Sequence, residues 1–526
     1  MINSKIKYAL GFFILCVSNM VFSQKAYYSG EYLHFEDSII NYGEIDHTVY
    51  LIGDAGEPNE DDLTAVDLLE NHIKNETKKS TVIFLGDNIY PRGIPSKDHK
   101  KRESSENSIQ EQLDIFQNYD GEVYYIPGNH DWDQWSKDGW NGVKREAKYI
   151  EKHENGNVEF LPNKGCPGPV KVKLKKDVLL VIIDTQWWLH KWDKPYGEKC
   201  NCDVKNEFEF IEKIRKIVSE NDDKQIILAG HHPVFSNGNH GGHFPLKDHL
   251  FPLTALHKSL FIPLPILGSF HPMYRKHIGS IQDITHDRYQ LFINELLGAV
   301  DGHPNFIYAA GHEHNLQYFK KQNQHFIVSG SGSKTKYVAK RNSAEFTFKK
   351  QGFSKVLYLD SGETWIEYWV VSKENPEKGE LVFRKKIKSG KFNKNDASNK
   401  DTTILIAASD KFEAGPLKRL VLGSHHREVW GTPVEVKVLS LKDEGLKAIQ
   451  LGGGKQTKSL RLENKEGTQF VFRSIQKNPA KVVLPQNMQD TWVADLMRDQ
   501  VSMSHPYGAF AIPPLAKAAG ILHKDS

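Results

Sequence analysis

Aspartate, asparagine and histidine side chains stand directly after glycine at five places that follow a short apolar run. In order, the residues are Asp54, Asp87, Asn129, His231 and His312, and His314 follows two positions later. Carboxylate, amide and imidazole groups bind divalent and trivalent cations, and one carboxylate can be shared between two of them. Two cations about 3.5 to 4 Å apart lower the pKa of a bound water and clamp a transferring phosphoryl group. The donor set therefore predicts a two-metal site suited to the hydrolysis of phosphate esters.

A short apolar run precedes each of these five glycine positions. The runs cover residues 49–52, 82–85, 123–126, 226–229 and 306–310. Their branched and aromatic side chains are typical of buried strands, which would present each polar residue at a carboxyl end. Amphipathic segments at 62–79 and 207–220 alternate with the runs. We therefore expect an α/β domain whose ligands gather where the strands end.

Five ordered blocks around these positions resemble those of the purple acid phosphatases. They are Gly53-Asp54-Ala55-Gly56, Gly86-Asp87-Asn88-Ile89-Tyr90, Gly128-Asn129-His130-Asp131, Ala229-Gly230-His231 and Gly311-His312-Glu313-His314. The stretches 230–236 and 311–318 look like the small, tartrate-resistant branch of that family, and the likeness extends from about residue 49 to 371. The resemblance implies a metallophosphoesterase four-layer α/β sandwich, with two mixed sheets flanked by helices. A smaller α+β unit is expected at the C-terminus.

Tyr90 separates this pattern from that of generic metallophosphoesterases, whose first block is Asp-x-His. Position 56 is glycine here, and a phenolate is a hard anionic ligand that suits a ferric ion. A tyrosine after a strand is more often core, but this one lies inside the second block. The resemblance implies that Fe³⁺ binds to Asp54, Asp87, Tyr90 and His314. It implies that a divalent ion (Fe²⁺, Zn²⁺ or Mn²⁺) binds to Asp87, Asn129, His231 and His312.

Two further histidines are candidate catalytic acids. His130 directly follows a proposed ligand and could contact a phosphate oxygen or the leaving group. His240 matches the position of a substrate-facing histidine in the small acid phosphatases. Either can protonate a departing alkoxide, and the alternative for each is a polar surface residue. Asp131 is expected to support its loop or His130 rather than to bind metal.

The resemblance implies hydrolysis of small-molecule phosphomonoesters through in-line attack by a metal-bound hydroxide. Two alternatives stay open. A phosphodiesterase or nucleotide hydrolase could use the same metals, because pocket shape rather than the ligand set decides between these substrates. A non-catalytic envelope binding or scaffold protein could keep the fold without turnover.

Composition is typical of globular domains and gives no indication of nucleic-acid binding. Hydrophobic residues make up 39% of the chain, charged residues 26%, and the formal net charge is +3, which argues against disorder and against a strongly basic surface. Residues 1–23 have the lysines, short apolar run and final small residue of a signal peptide. We therefore expect export to the periplasm, the outer membrane or the medium. Cys166, Cys200 and Cys202 would then remain, permitting one disulfide and one spare thiol.

The domain organisation follows from the composition along the chain. We expect a catalytic domain at 24–384, a polar, lysine-rich linker at 385–401 and a second unit at 402–526. In that unit the sequence predicts a strand, a glycine loop and a hairpin turning at 464–467; a kinase-like nucleotide loop is the weaker alternative. The unit looks like the segment that precedes an outer-membrane barrel in some longer bacterial envelope phosphoesterases, which implies outer-membrane association.

Residues 241–288, called the excursion below, are longer and more apolar than the family core needs. A lid or a substrate wall is one interpretation, and a packed insertion is the other. Four tryptophans could line the pocket, although aromatic residues after strands are more often core. They are Trp132, Trp135, Trp187 and Trp188.

Overall fold

The computed structural model divides the chain into two units, Met1–Lys391 and Phe392–Ser526. In the first unit it describes residues 25–29, 43–57, 63–153, 157–255, 257, 259–321, 323–340 and 344–388. In the second it describes residues 403–409, 412, 414, 416–437, 445–453, 457–475, 477, 479, 483 and 492–521. The predicted signal peptide, 1–23, and the linker residues 389–401 lie outside these ranges.

One mixed sheet of the first unit carries the strands that lead to the first three motif blocks. Its strands in chain order are β2 (Ile45–Ile52), β3 (Ser80–Phe84), β4 (Glu122–Tyr125), β5 (Val158–Phe160), β13 (Gly352–Leu359), β14 (Thr364–Val370) and β15 (Glu380–Lys388). Their spatial order is β15-β14-β13-β2-β3-β4-β5. Strands β2 to β5 are parallel, so their carboxyl ends lie at one edge.

A second mixed sheet carries the strands that lead to the histidine blocks. Its strands are β1 (Tyr27–Tyr28), β6 (Val170–Lys175), β7 (Val178–Ile182), β8 (Gln225–Ala229), β9 (Phe306–Ala310), β10 (Leu316–Lys321), β11 (Gln324–Ser329) and β12 (Phe346–Phe348). Their spatial order is β1-β12-β10-β11-β9-β8-β7-β6. Strands β8 and β9 are parallel neighbours, which brings His231 and His312 to the same edge.

Alternating side chains of β2 show how the layers are built. Val49 and Leu51 join an apolar cluster formed by residues of both sheets. Tyr50 and Ile52 join another cluster that contains helix residues such as Leu68 and Leu69. Because successive side chains of a strand point to opposite faces, each sheet packs on the other sheet with one face and on helices with the other. The predicted fold class, two mixed sheets with helices, is confirmed.

The first unit has eight α-helices among its described residues, and the first and fifth of them lie in the two expected amphipathic segments. The eight helices are α1 (Ala65–Ile73), α2 (Arg102–Asp114), α3 (Gly139–His153), α4 (Thr185–Leu189), α5 (Glu207–Ser219), α6 (Leu246–Leu250), α7 (Phe270–His277) and α8 (Asp287–Val300). Helix α1 begins at a capping box between Thr64 and Asp67, which satisfies two backbone donors and fixes the start later than the expected residue 62. Helices α6 and α7 lie in the excursion. Within the described residues, no helix combines the length and apolar character needed to cross a membrane.

Two features of the first unit refine the predictions. Strand β15 extends to Lys388, so residues 385–388, placed in the linker, belong to the sheet. They form its edge, where lysine is well tolerated because one side of the strand faces solvent. The disulfide joins Cys166 to Cys202, and Cys200 is a buried thiol.

The second unit contains two small antiparallel sheets among its described residues. One pairs β16 (Thr403–Ala407) with β17 (Pro433–Lys437), and the other contains β18 (Lys447–Gly453), β19 (Lys458–Glu463) and β20 (Gln469–Arg473). Its helices are α9 (Pro416–Leu422), α10 (Arg427–Gly431), α11 (Trp492–Asp499) and α12 (Ile512–Ala518). The β19–β20 pair turns between Glu463 and Gln469, where the hairpin was predicted.

Candidate metal centre

Backbone hydrogen bonds join the strand ends of the two sheets. The N–H of Gly53 donates to the carbonyl of Ser329 in the other sheet at 2.7 Å, and the N–H of Asp54 donates to the carbonyl of Gly86 at 2.9 Å. The N–H of Gly311 donates to the carbonyl of His231 at 3.0 Å. The motif blocks therefore meet at one place.

The backbone takes an unusual conformation where the acidic and histidine residues leave their strands. Asp54, Asp87 and His312 have φ angles of 58°, 55° and 68°, a left-handed region that non-glycine residues rarely adopt. A Cβ on Gly128 would lie 2.3 Å from Oδ1 of Asp87, so only glycine allows the third block to approach the second. Such strain is typical of functional sites.

The first donor group surrounds the hydroxyl of Tyr90. This oxygen lies 2.8 Å from Oδ1 of Asp54, 3.1 Å from Oδ2 of Asp87 and 3.1 Å from Nε2 of His314. All four side chains are buried. The structure thus brings together the four residues that the sequence assigned to the ferric ion.

Gly56 explains how a tyrosine reaches this position. A Cβ at position 56 would lie 2.2 Å from the backbone of Asn88, so no larger residue fits between the first and second blocks. The backbone N–H of Tyr90 donates to the carbonyl of Gly56 at 3.1 Å. The tyrosine loop therefore packs directly on the first block.

The second donor group surrounds the side-chain oxygen of Asn129. Oδ1 of Asn129 lies 3.0 Å from Nε2 of His231 and 2.9 Å from Nδ1 of His312, and these two nitrogens are 3.2 Å apart. Oδ1 of Asp87 lies 3.5 Å from Nε2 of His231. The two carboxylate oxygens of Asp87 thus face different donor groups, as a shared ligand requires.

Hydrogen bonds to main-chain carbonyls decide which histidine nitrogens are free to bind a cation. Nδ1 of His231 lies 2.8 Å from the carbonyl of Leu85, and Nε2 of His312 lies 2.9 Å from the carbonyl of Gln282. A carbonyl only accepts, so these nitrogens carry the protons, and in the neutral rings the opposite nitrogens carry lone pairs. Two lone pairs and an amide oxygen then face one another, and such an arrangement of acceptors fits a bound cation.

Burial sets the charge state of the site. Burial raises the pKa of Asp54 above its usual range. Burial also opposes ionisation of Asp87, but the nearby His231 and His130 hold its pKa below the usual range. Burial lowers the pKa values of His312 and His314 well below the ordinary histidine value. These imidazoles are therefore neutral near pH 7, the form that binds metals.

His232 lies beside the ligands, but both of its nitrogens have other partners. It belongs by distance to a possible metal-binding group with His231 and His312. Its Nδ1 lies 2.7 Å from the hydroxyl of Thr185, and its Nε2 lies 2.7 Å from the side-chain oxygen of Gln282. We therefore assign His232 to the support of the site and not to the donor set.

A family comparison covers the part of the chain that contains five of the seven proposed ligands. Residues 47–257 match the model of the calcineurin-like phosphoesterase family. The chain carries a calcineurin-like phosphoesterase domain. The family supports metal-dependent hydrolysis of phosphoesters as the chemistry of this domain. A search among curated proteins gave no match to the chain.

The solved structures to which the chain is similar have low sequence identity to it. GAP50, described as the anchor in the inner membrane complex of Plasmodium, has 16% identity and a TM-score of 0.41 over 67% of this chain and 91% of its own. Purple acid phosphatase PPD1 from yellow lupin (Lupinus luteus) seeds has 16% identity and a TM-score of 0.37 over 64% and 53%. PhoD has 10% identity and a TM-score of 0.42 over 67% and 73%.

His130 lies at the open side of the phosphoesterase site. Its backbone N–H donates to Oδ1 of Asp87 at 2.8 Å, and its Nδ1 lies 2.6 Å from the carbonyl of Pro91. Its Nε2 lies 3.9 Å from Oδ2 of Asp87, and its ring contacts that of Tyr90 edge-on at 4.5 Å. His130 is thus held beside both donor groups while its side chain stays partly exposed.

His240 also lies in the phosphoesterase site, and residues that the sequence analysis missed hold it there. Its ring centroid is 4.1 Å from that of His312. Its Nδ1 lies 2.9 Å from Oδ1 of the fully buried Asp283 and 3.2 Å from Nη2 of Arg275. Arg275 donates to both oxygens of Asp283. Since Gln282 orients His312, two consecutive residues of the excursion position two histidines of the site.

The loop that carries His240 is fixed by the last motif block. The carboxylate of Glu313 accepts hydrogen bonds from the hydroxyl of Ser236 and, at 3.1 Å, from the N–H of Gly241. Glu313 is fully buried. Glu313, which stands between His312 and His314 in the sequence, therefore holds the loop that carries His240 in place.

Asp131 supports its loop, as the sequence predicted. Its carboxylate accepts from the backbone N–H groups of Gly128 at 2.7 Å, Asn88 at 3.0 Å and Ile89 at 3.2 Å. The second and third blocks are thereby tied together.

The aromatic residues near the site divide into two groups. Trp132, Trp187 and Trp188 are buried core residues, as the more common role of such residues suggests. Trp135 is half-buried, and its ring lies 6.2 Å from that of His130. Only this one of the four tryptophans contacts a candidate site residue at the open side.

Proposed function

We propose that this domain is a two-metal phosphomonoesterase of the purple acid phosphatase kind. The observation that carries the proposal is the pair of donor groups that share Asp87. When bound, the two cations supply a nucleophile by lowering the pKa of water and neutralise charge on the phosphoryl oxygens. Asp54, Asp87, Tyr90 and His314 would hold Fe³⁺. Asp87, Asn129, His231 and His312 would hold Fe²⁺, Zn²⁺ or Mn²⁺.

Lys334 supports the assignment of Tyr90 to a ferric ion. Its Nζ lies 3.7 Å from the centroid of the Tyr90 ring and pairs with Glu57. Burial and the carboxylates of Asp54 and Asp87 raise the pKa of Tyr90 well above its ordinary value, so the phenolate needs positive charge nearby. A lysine over the ring face contributes some of that charge.

His130 and His240 would handle the substrate. Both are partly exposed, and both lie next to proposed ligands. His130, fixed through Nδ1 by a main-chain carbonyl, would contact a phosphate oxygen. His240, held through Nδ1 by Asp283, would present the rest of its ring to the leaving group and protonate it, a role worth about 10²- to 10⁴-fold in rate.

Metal analysis and a substrate pair test the proposal. The purified chain should contain two metal ions per molecule and hydrolyse p-nitrophenyl phosphate much faster than bis(p-nitrophenyl) phosphate. Faster cleavage of the diester would instead identify a phosphodiesterase. Full metal content without cleavage of any phosphate ester would support the scaffold alternative and overturn the enzymatic proposal.

We also propose that the chain is exported. The bond between Cys166 and Cys202 supports this, because disulfides persist in oxidising compartments. Expression of the complete chain should yield a product in the periplasm or medium whose first residue is Gln24. A cytoplasmic product that keeps residues 1–23 would contradict the proposal.

A further inference from the structure

The excursion exposes large apolar side chains beside the candidate site. Six of its described residues have exposed fractions of 53–81%. They form what is called the apolar surface below: Leu246, Ile266, Leu267, Phe270, Met273 and Ile278. Isolated exposed apolar residues are ordinary, but six within one short segment make that segment a candidate binding surface.

Helix α7 shows that this exposure is organised. Phe270, Met273 and Tyr274 follow the spacing i, i+3, i+4 that places residues on one helix face, and all three are exposed. Pro272 is buried, and Arg275 reaches Asp283 and the nitrogen of His240. The helix therefore directs Arg275 toward the phosphoesterase site and its apolar face toward solvent. An ordinary surface helix has the opposite arrangement.

Contacts within the excursion hold its pieces together. The N–H of Leu264 donates to the carbonyl of Leu250 at 2.8 Å, and Nδ1 of His249 lies 3.1 Å from the hydroxyl of Ser269. The rings of Phe251 and Phe261 lie 5.8 Å apart. Helices α6 and α7 are thus parts of one folded surface.

The charged residues of the excursion indicate what kind of partner the apolar surface binds. The excursion contains five lysine or arginine residues and three aspartates, and one of these aspartates, the buried Asp283, is paired with Arg275. Lys247 and Lys276 are exposed, and neither has an ion pair with a described residue. Basic side chains around exposed aromatic and aliphatic residues are typical of helices that lie in the interface of an anionic bilayer.

A cavity beside α7 is likewise lined by both apolar and basic side chains. It has a volume of about 420 Å³ and adjoins the apolar surface at Met273. Phe244 and Pro272 form an apolar wall, whereas Lys276 and His277 line it with basic groups. Such a lining fits a molecule with an apolar chain and an anionic head.

We propose that the apolar surface docks on a bilayer containing anionic phospholipid. Docking would place the phosphoesterase site at the lipid–water interface, since Arg275 links α7 to His240. The surface does not depend on bound metal or on turnover, and this inference therefore stands apart from the proposed enzymatic function.

Vesicle flotation of the full chain tests the proposal. The chain should float with vesicles of phosphatidylcholine and phosphatidylglycerol and bind pure phosphatidylcholine weakly. Ile266→Asp with Phe270→Asp should lower the partition coefficient about tenfold or more, and Lys247→Gln and Lys276→Gln should each lower it about fivefold. Phe208→Asp is the matched control, because Phe208 on α5 is 75% exposed outside the excursion, and it should retain binding.

Three outcomes would overturn the proposal. They are absence of binding to anionic vesicles at low salt, an equal loss in Phe208→Asp, and a dimer that Phe270→Asp dissociates while vesicles remain unbound. The last outcome would identify a second copy of the chain as the occupant. Circular dichroism of each variant excludes unfolding as the cause. Chelator-treated protein should bind as well as untreated protein, which separates this result from any failure of catalysis.

Discussion

The hydroxyl of Tyr90 lies 2.8 Å from Oδ1 of Asp54 in the buried interior of the phosphoesterase domain. The phenol hydroxyl donates this hydrogen bond to the carboxylate. With a ferric ion bound, the same two oxygens would be ligands, and the phenolate would give the protein a visible charge-transfer colour. The visible colour of the proposed centre would therefore depend on one side chain, Tyr90.

The first prediction concerns Tyr90→Phe. This variant should keep the fold but lose the visible absorption band and retain iron less well, because it lacks the anionic oxygen. Absorption spectra and metal content measure both effects. Tyr125→Phe is the control, since Tyr125 is a fully buried tyrosine outside the donor groups, and it should keep the band. Survival of the band in Tyr90→Phe would rule out the tyrosine ligand.

The second prediction uses the shared position of Asp87. Asp87→Asn should lose both metal ions and at least about 10²-fold in kcat, because its two oxygens face both donor groups. Asn129→Ala should lose the divalent ion but keep the ferric ion, because Asn129 contacts one group alone. Metal-to-protein ratios distinguish the two variants. If both variants bound the same amount of iron, Asp87 would not be a bridge.

The proposed ligands could be foreseen because glycine, a buried run and a metal-binding residue recur together. The five apolar runs became β2, β3, β4, β8 and β9. Each strand is one short continuous segment, so its pattern of apolar residues can be recognised from the sequence alone. The ordered blocks then supplied the donor set, which the fold brings together.

Other features depend on contacts between distant residues that carry no local signal. Asp283 lies 43 positions from His240, inside an excursion without a motif. Lys334 follows β11, and its position over the Tyr90 ring depends on how the blocks converge. The lysine-rich residues 385–388 were predicted to be linker but belong to β15. Lysines are tolerated there because β15 lies at the edge of its sheet.

The third prediction concerns the positioning of His240 by Asp283. Asp283→Asn should lower kcat about 10- to 100-fold with phenyl phosphate and less with p-nitrophenyl phosphate, because a poor leaving group needs the proton more. KM should change little. Asp248→Asn, in the same excursion, is the control and should behave as wild type. An equal loss for both substrates would show a structural role only.

The fourth prediction concerns a buried ion pair in the second unit. Arg427 is fully buried and donates to both oxygens of Asp499. These hydrogen bonds hold the pKa of Asp499 below its usual range, so their stabilisation is present above the unfolded-state value of about 3.9 and is lost as pH falls through the folded-state value.

Arg427→Gln should therefore destabilise the second unit by about 1.5 to 3 kcal/mol at pH 7, because Asp499 loses its two hydrogen bonds from Arg427 and keeps the ion pair with the partly exposed Lys418. Arg419→Gln is the control: its pair with Glu428 is exposed and is worth about 0 to 1 kcal/mol. Urea unfolding at pH 7 and at pH 3 measures both, and the difference between variant and wild type should shrink at pH 3. A difference independent of pH would exclude the ion pair as its source.

The fifth prediction concerns the three cysteines. Cys166 and Cys202 are bonded across a separation of 36 residues. Closing a loop of that length lowers the conformational entropy of the unfolded chain, which stabilises the folded state by about 3 to 4 kcal/mol. Cys166→Ala with Cys202→Ala should lower the free energy of unfolding by that amount, whereas Cys200→Ala should cost about 1 kcal/mol from lost packing and the lost weak hydrogen bond of its thiol to the carbonyl of Gly197. Reductant should destabilise wild type and Cys200→Ala but leave the double variant unchanged. If reductant acted equally on the double variant, the stabilisation could not come from this bond.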